Sequence, residues 1–164
     1  VAGVRDLVTQ YYEPLYRYAY RLSGSQVDAE DLTQETFLKA QTQFAQLRDP
    51  TRAKPWLFAI LRNAYLHRVR ADKGKASLSL DTIGELPEKN ESLIPEVGSE
   101  ELQQALNNLE EGFRTPLILY FFEDFSYRDI SEQMNLPIGT VMSRLNRAKE
   151  YLRRVLAPSE QHYE

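Results

Sequence analysis

Cysteine is absent from this sequence. That excludes a disulfide framework and any thiolate metal site, and it suits a reducing, cytoplasmic setting. Histidine is nearly absent too: there are only two, His67 and His162, the second in a tail expected to fray. No HExxH pair and no glycine-rich phosphate loop occurs. One carboxylate cluster, Asp28, Glu30, Asp31 and Glu35, has no basic or histidine partner at a spacing suited to metal binding or acid–base work. The expectation is a protein with no catalytic residues, no metal and no cofactor. Long apolar runs are also lacking. WLFAIL (56–61) and LILYFF (117–122) stop far short of the roughly 20 residues a membrane-spanning helix requires. The opening VAGVRDLVTQYYEP shows no basic region followed by an apolar core and cleavage site, so no secretion signal is expected, and a start at Val suggests trimming.

What is present is a hydrophobic content of 42%, enough for real cores in one ordinary domain or two small ones. The net charge of −4 conceals a segregation. Residues 1–75 carry 12 Lys/Arg against 8 Asp/Glu, residues 76–111 carry one Lys against 9 acids, and residues 112–164 carry 7 of each sign. Polyanions are therefore expected at the two ends and repelled from the middle.

Helical spacing runs through the first block. Leu7, Tyr11, Leu15, Tyr18 and Leu22 recur at intervals of three and four, with a kink expected at Pro14. A second helix follows Ser25, an N-cap with Asp28 three residues on, and is expected to bury Val27, Leu32, Phe37, Leu38 and Phe44. The turn-rich QLRDPTRAKP (46–55) leads into a third, whose first position suits Pro55. From Gly74 to Gly98 neither period persists, and three Gly and two Pro mark a linker. Beyond it, Leu102, Ala105, Leu106 and Leu109 shape a short amphipathic helix after Ser99. EEGFRTPLILYFFED reads as a buried helix, although Leu117 to Phe122 alone fits a strand equally well. SYRDISEQM opens on a Ser126/Asp129 capping box and is followed by the turn Asn135-Leu136-Pro137 and one more helix. The expected fold is all-α: two small helical domains, 1–75 and 98–164, joined by a flexible acidic linker over 76–97, with a helix-turn-helix in the second.

The last helix has an apolar stripe, Ile138, Val141, Leu145, Ala148 and Leu152. Ser143, Arg147, Glu150 and Arg154 lie opposite it, and Gly139, Thr140 and Asn146 widen the polar face near the N-terminus. A recognition helix presents that end to base edges. Arg suits guanine, Asn suits adenine, and Ser donates or accepts. Arg144, Lys149 and Arg153 flank the face where phosphates would lie. A basic helix alone reads as a solvated face; the capped helix and short turn before it shift the reading to DNA.

Three stretches together resemble the extracytoplasmic-function sigma factors of the sigma-70 family. DAEDLTQETFLKA (28–40) is similar to that family's region 2.2, RAKPWLFAILRNAYLHRVRADK (52–73) to its promoter-melting regions 2.3 and 2.4, and residues 105–152 to region 4. The resemblance implies that the first domain docks on the beta-prime clamp helices of core RNA polymerase and captures the non-template strand of the −10 element. It implies that the second domain sits on the beta flap and reads the −35 element. It also implies an anti-sigma factor as partner.

On that resemblance Asp31, Gln34 and Glu35 form the polymerase-docking patch. Their residue types fit a basic helical partner, and a merely solvated acidic face fits them as well. The expected −10 contacts are Arg48, Lys54, Arg62, Asn63, Tyr65, His67, Arg68 and Arg70, from the most basic part of the chain. Cations suit the backbone of a single strand, and flat or hydrogen-bonding groups suit its bases. Asn63 matches the Asn of the family's "RNA" motif, and the turn from Gln46 to Lys54 corresponds to its base-pocketing loop. Trp56 and Phe58 are expected in the core. His67 stands where many relatives carry an acid, which leaves an altered contact or a structural histidine. The expected −35 contacts are Arg128, Thr140, Ser143, Arg144, Asn146, Arg147 and Lys149. The acidic linker is either a polymerase-directed nucleic-acid mimic or a plain spacer. A free monomer is expected. The rival is a stand-alone helix-turn-helix regulator, which requires a dimer on half-sites about one DNA turn apart.

Overall fold

A computed structural model describes residues 3–71 and 99–156 of the chain. The linker expected over 76–97, the end of the 52–73 motif and His162 lie outside the described residues. Two compact units divide the chain. The first holds α1 (Val4–Ser23), α2 (Gln26–Thr42) and α3 (Ala53–Ala71); the second holds α4 (Ser99–Asn107), α5 (Glu111–Phe122), α7 (Ile138–Leu156) and most of α6 (Tyr127–Met134).

In the first unit the three helices pack against one another. Leu7, Leu15, Tyr18, Ala19 and Leu22 form the buried stripe of α1, at the spacing anticipated. Pro14, where a kink was expected, lies inside a helix that runs on to Ser23. Gly24 ends it in the left-handed region (φ 73°), its amide donating to the Tyr20 carbonyl at 2.7 Å. Ser25 then caps α2, its Oγ accepting from the Asp28 amide at 3.2 Å.

The buried side of α2 differs from the expected one. Leu32 is buried, but Val27 and Leu38 are 67% and 64% exposed, and Phe37 and Phe44 are half-buried. The stripe follows Ala29, Leu32, Thr33, Thr36 and Ala40, and at 100° per residue Val27 and Leu38 fall on the far side. Small residues let the neighbouring helices approach. The two threonines are tolerated because Thr33 and Thr36 donate to the carbonyls of Ala29 and Leu32, each at 2.7 Å.

Between α2 and α3 run two short 3-10 turns, Phe44–Gln46 and Pro50–Arg52. Helix α3 starts at Ala53, two residues before the expected position. Pro55 therefore sits in the first turn, where no intrahelical amide bond is lost. Its buried residues are Ala53, Leu57, Phe58, Ile60, Leu61 and Ala64. Phe58 stacks on Tyr18 with centroids 4.8 Å apart, as suits a core residue, whereas Trp56 is only half-buried.

In the second unit the ambiguous run is helical. Residues Arg114 to Leu119 of α5 are all buried, which explains an apolar stretch without a one-sided period. Leu102, Ala105, Leu106 and Leu109 are buried as anticipated, and α5 and α4 both pack on α7. On α7, Val141, Leu145, Ala148, Tyr151 and Leu152 are buried. Ile138, assigned to the same stripe, is 44% exposed because it opens the helix one turn ahead of Val141.

Candidate nucleic-acid interface

The helix-turn-helix is built by local chemistry. Ser126 Oγ accepts from the Asp129 amide at 3.0 Å, and the Asp129 carboxylate accepts from the Ser126 amide at 3.4 Å. This is the capping box the sequence announces. Helix α6 stops at Asn135, whose φ of 56° is left-handed, a conformation Asn tolerates better than most residues. The Asn135 and Leu136 amides both donate to the Ser131 carbonyl, and the Ser131 hydroxyl donates to the Leu136 carbonyl. The Pro137 carbonyl then accepts from Thr140 and Val141 at 3.0 and 3.1 Å, starting α7. All three turn residues are thus fixed by named hydrogen bonds.

On α7 the expected −35 residues divide into two kinds. Ser143 and Asn146 are exposed beside Gly139 and Met142, leaving a face of modest bulk open at the N-terminal half of the helix. Thr140, Arg144, Arg147 and Lys149 are half-buried. Arg144 and Arg147 both lie over the ring of Phe113 in α5, each guanidinium carbon 5.5 Å from the centroid. Lys149 Nζ lies 5.8 Å from the Phe121 ring. Such contacts hold a cation in place without neutralising it. Arg144 is also tied by Nη1, which donates to the Gly112 carbonyl at 3.0 Å. That carbonyl is available because its usual partner in the helix would be the amide of residue 116, which is proline. Arg128 comes from α6 and is exposed, next to Tyr127, which stacks on Tyr120 at 4.9 Å. A hydrogen bond with Tyr120, then burial, pushes the Tyr127 phenol above its ordinary range.

Arg153 does not flank this face as expected. Its Nη1 donates to Glu150 Oε1 at 2.9 Å, and the two side chains are only 20% and 15% exposed, so the pair is turned in along the helix. Phe113, Gly112 and Pro116 are what the sequence reading missed. The available signal was a proline four residues after a glycine, the spacing that frees a helical carbonyl.

In the first unit the expected −10 residues do not share one face. Asn63, His67 and Arg70 form a single exposed stripe at intervals of four and three. Arg62 and Tyr65 are half-buried off that stripe, and Arg48 is exposed in the preceding turn. Lys54 leans over Phe58, its Nζ 5.7 Å from the ring. Arg68 faces the other way, toward α2. Its Nη2 donates to Glu35 Oε1 at 3.3 Å and its Nη1 lies 3.7 Å from Asp28 Oδ1. Glu35 also pairs with Lys39 at 3.2 Å.

The acidic cluster therefore has basic partners: Lys39, one turn along the same helix, and Arg68, which only the tertiary fold supplies. Of the docking trio, Asp31 and Gln34 are exposed, while Glu35 is half-buried in that pairing. The turn before α3 is set by Asp49. Its Oδ1 accepts from the Thr51 hydroxyl at 2.7 Å and from the Thr51 amide at 3.0 Å, and these bonds hold the carboxyl below the usual carboxylate range. Among the described residues no cluster of His, Cys, Asp and Glu could hold a metal ion, and no helix is long and apolar enough to cross a membrane.

Comparison with known proteins follows the same two-part division. Residues 7–74 match the Sigma-70 region 2 family, and residues 99–152 match Sigma-70, region 4. The ECF RNA polymerase sigma factor SigM of Bacillus subtilis is 31% identical over 152 residues, covering 92% of this chain and 93% of that protein. The ECF RNA polymerase sigma factor SigE of Mycolicibacterium smegmatis is 36% identical over 163 residues; the match takes in 93% of this chain but 61% of that longer relative. Among solved structures, the sigma factor RpoE of Bartonella quintana, in complex with the anti-sigma factor NepR, superposes with a TM-score of 0.75 at 28% identity. That match covers 93% of this chain and 95% of the other. With both regions present in order and a relative matched along nearly its whole length, the chain belongs to the extracytoplasmic-function sigma factors of the sigma-70 family.

Proposed function

We propose that this chain directs core RNA polymerase to promoters, reading the −35 element with α7 and capturing a strand of the −10 element with the turn before α3 and the exposed stripe of α3. The observation that carries the reading is the pairing of two different interfaces in one chain. One is a helix-turn-helix with an open N-terminal face on α7, suited to duplex. The other is a stripe of Asn63, His67 and Arg70, suited to unpaired bases and their backbone. In this reading Asp31, Gln34 and Glu35 meet the beta-prime clamp helices, and the second unit sits on the beta flap. Arg48, Lys54, Arg62, Asn63, Tyr65, His67 and Arg70 serve the −10 element, and Arg68 joins them only on leaving its pairing with Glu35 and Asp28. Arg128, Thr140, Ser143, Arg144, Asn146, Arg147 and Lys149 serve the −35 element.

The domains are 1–75 and 98–164, with 76–97 a spacer whose acidity keeps it off DNA. The chain acts as a non-enzymatic, monomeric, cytoplasmic factor, and an anti-sigma factor holds it inactive by covering both units. A similar sigma factor solved in complex with an anti-sigma factor supports such a partner. The two matched regions do not favour the stand-alone dimeric regulator. The test is reconstitution: the chain added to core polymerase should give start-site-specific transcripts from a library of promoters, and polymerase alone should not. Sequence-specific protection of both elements without polymerase would overturn the proposal.

A further inference from the structure

The recognition helix is not the only element that shapes its own arginines. The first two turns of α5 combine three features that meet at Arg144 and Arg147. Gly112 has no side chain, and a Cβ there would come 2.9 Å from Arg144 Nη1. Pro116 has no amide, so the Gly112 carbonyl is free of its helical partner and takes the Arg144 Nη1 at 3.0 Å. Phe113 lies between, its ring 5.5 Å from both guanidinium carbons. A glycine and a proline are poor choices for a helix on propensity alone, so their presence in α5 calls for a tertiary reason. Seating Arg144 supplies one.

We infer that Gly112, Phe113 and Pro116 form a seat on α5 that positions Arg147 for −35 base readout with Arg144 anchored beside it, setting base selectivity through Arg147. The inference rests on the assignment of α7 as the −35 reader. A guanidinium on a flexible stem visits many rotamers, and each must be frozen before it can hydrogen-bond bidentately to a base. Laid over Phe113, Arg147 has part of that ordering already done. Arg144 spends one donor of its five on Gly112 and is anchored beside it. The three residues of α5 are positioning residues: their effect reaches DNA through Arg147.

The experiment uses polymerase reconstituted with the full-length chain and a set of −35 variants differing one base pair at a time. Arg147→Ala should flatten the preference at one or two positions by about fivefold or more. Phe113→Leu, which keeps apolar bulk but removes the ring face, should flatten the same positions by about two- to fivefold. Phe113→Tyr should restore the parent profile. An unchanged profile for Phe113→Leu, with Arg147→Ala still effective, overturns the seat and leaves the −35 assignment standing. An unchanged profile for Arg147→Ala overturns the assignment, and the seat with it. Should Phe113→Leu lose helicity by circular dichroism, Gly112→Ala decides. Its added methyl meets only the flexible end of Arg144, so the fold persists while the guanidinium is pushed off the carbonyl and crowds Arg147. About a twofold loss of selectivity supports the seat, and none overturns it.

Discussion

In the first unit Arg68 faces the carboxylates of Asp28 and Glu35; in the second, Arg144 and Arg147 face the ring of Phe113. Both arrangements order a long cationic side chain, but they leave different charges on offer. Carboxylates within 4 Å neutralise the guanidinium in place, and a partly exposed pair of this kind contributes about 0–1 kcal/mol. A ring face contributes a similar 0.5–1 kcal/mol and leaves the positive charge for a phosphate or a base. In the second unit the cations of α7 are thus ordered by aromatic rings of α5. In the first, the groups offered openly are Asn63, His67 and Arg70, while Arg68 links α3, proposed to capture the strand, to the acidic helix proposed to dock on polymerase.

The largest effect that would break this comparison lies at the α2 face proposed to dock on polymerase. Changing Asp31, Gln34 and Glu35 together to Ala should abolish binding of the chain to core polymerase, measured by co-elution, with helicity unchanged. Retained binding would reduce the α2 face to a solvated, internally paired surface. Next comes the contrast on α7. Arg147→Ala should cost about 1–3 kcal/mol at the preferred −35 sequence, whereas Lys149→Ala should weaken all sequences alike. Matching selectivity profiles for the two would remove the distinction between them.

Smaller effects sharpen the first unit. Asn63→Ala removes an exposed hydrogen-bonding group and should cost about 1 kcal/mol in transcription from closed duplex, with much less lost on a template premelted over the −10 element. Equal losses on both templates would argue against strand capture. Asp28→Asn releases one of the two carboxylates on Arg68. It should lower thermal stability by a few tenths of a kcal/mol at low salt, a difference that fades at high salt as screening takes over. A salt-independent loss would point to the helix cap at Ser25 instead.

How far the sequence disclosed all this depended on whether the determining contact was local. Helix boundaries near Ser25, Ser126 and Asn135 were legible because caps and turns are settled within a few residues. The buried side of α2 was not. Val27 and Leu38 are apolar and were expected inside, yet Ala29, Thr33 and Thr36 face the core, because close packing there selects size over hydrophobicity. The polar face of α7, which carries most of the residues proposed for the −35 element, was legible from the angular pattern of one helix. Their seat on α5 was not, since Gly112 and Arg144 are 32 residues apart. The same limit hid Arg68 as a partner of the acidic cluster, 33 residues from Glu35.

The smallest expected effect concerns the turn expected to pocket a flipped base, which is shaped by Asp49 rather than by any cation. Thr51 donates to the Asp49 carboxylate from both its hydroxyl and its amide, favouring the charged form and holding the folded-state pKa below the ordinary one. A depressed folded pKa means that the stabilisation is fully present above the unfolded carboxylate's pKa. It is lost as pH falls through that value toward the folded one. Asn at position 49 can still accept from Thr51 but does not titrate. The stability difference between the parent and Asp49→Asn should therefore be flat from pH 6 to 8 and shift slightly against the parent as pH drops below about 4. Because this side chain is fully exposed, the shift should be close to the limit of thermal melts, and a carboxyl carbon titration by NMR is the sharper measurement. A midpoint at or above that of a free aspartate would show that the Thr51 bonds do not persist in solution, and the turn would then need another explanation for its shape.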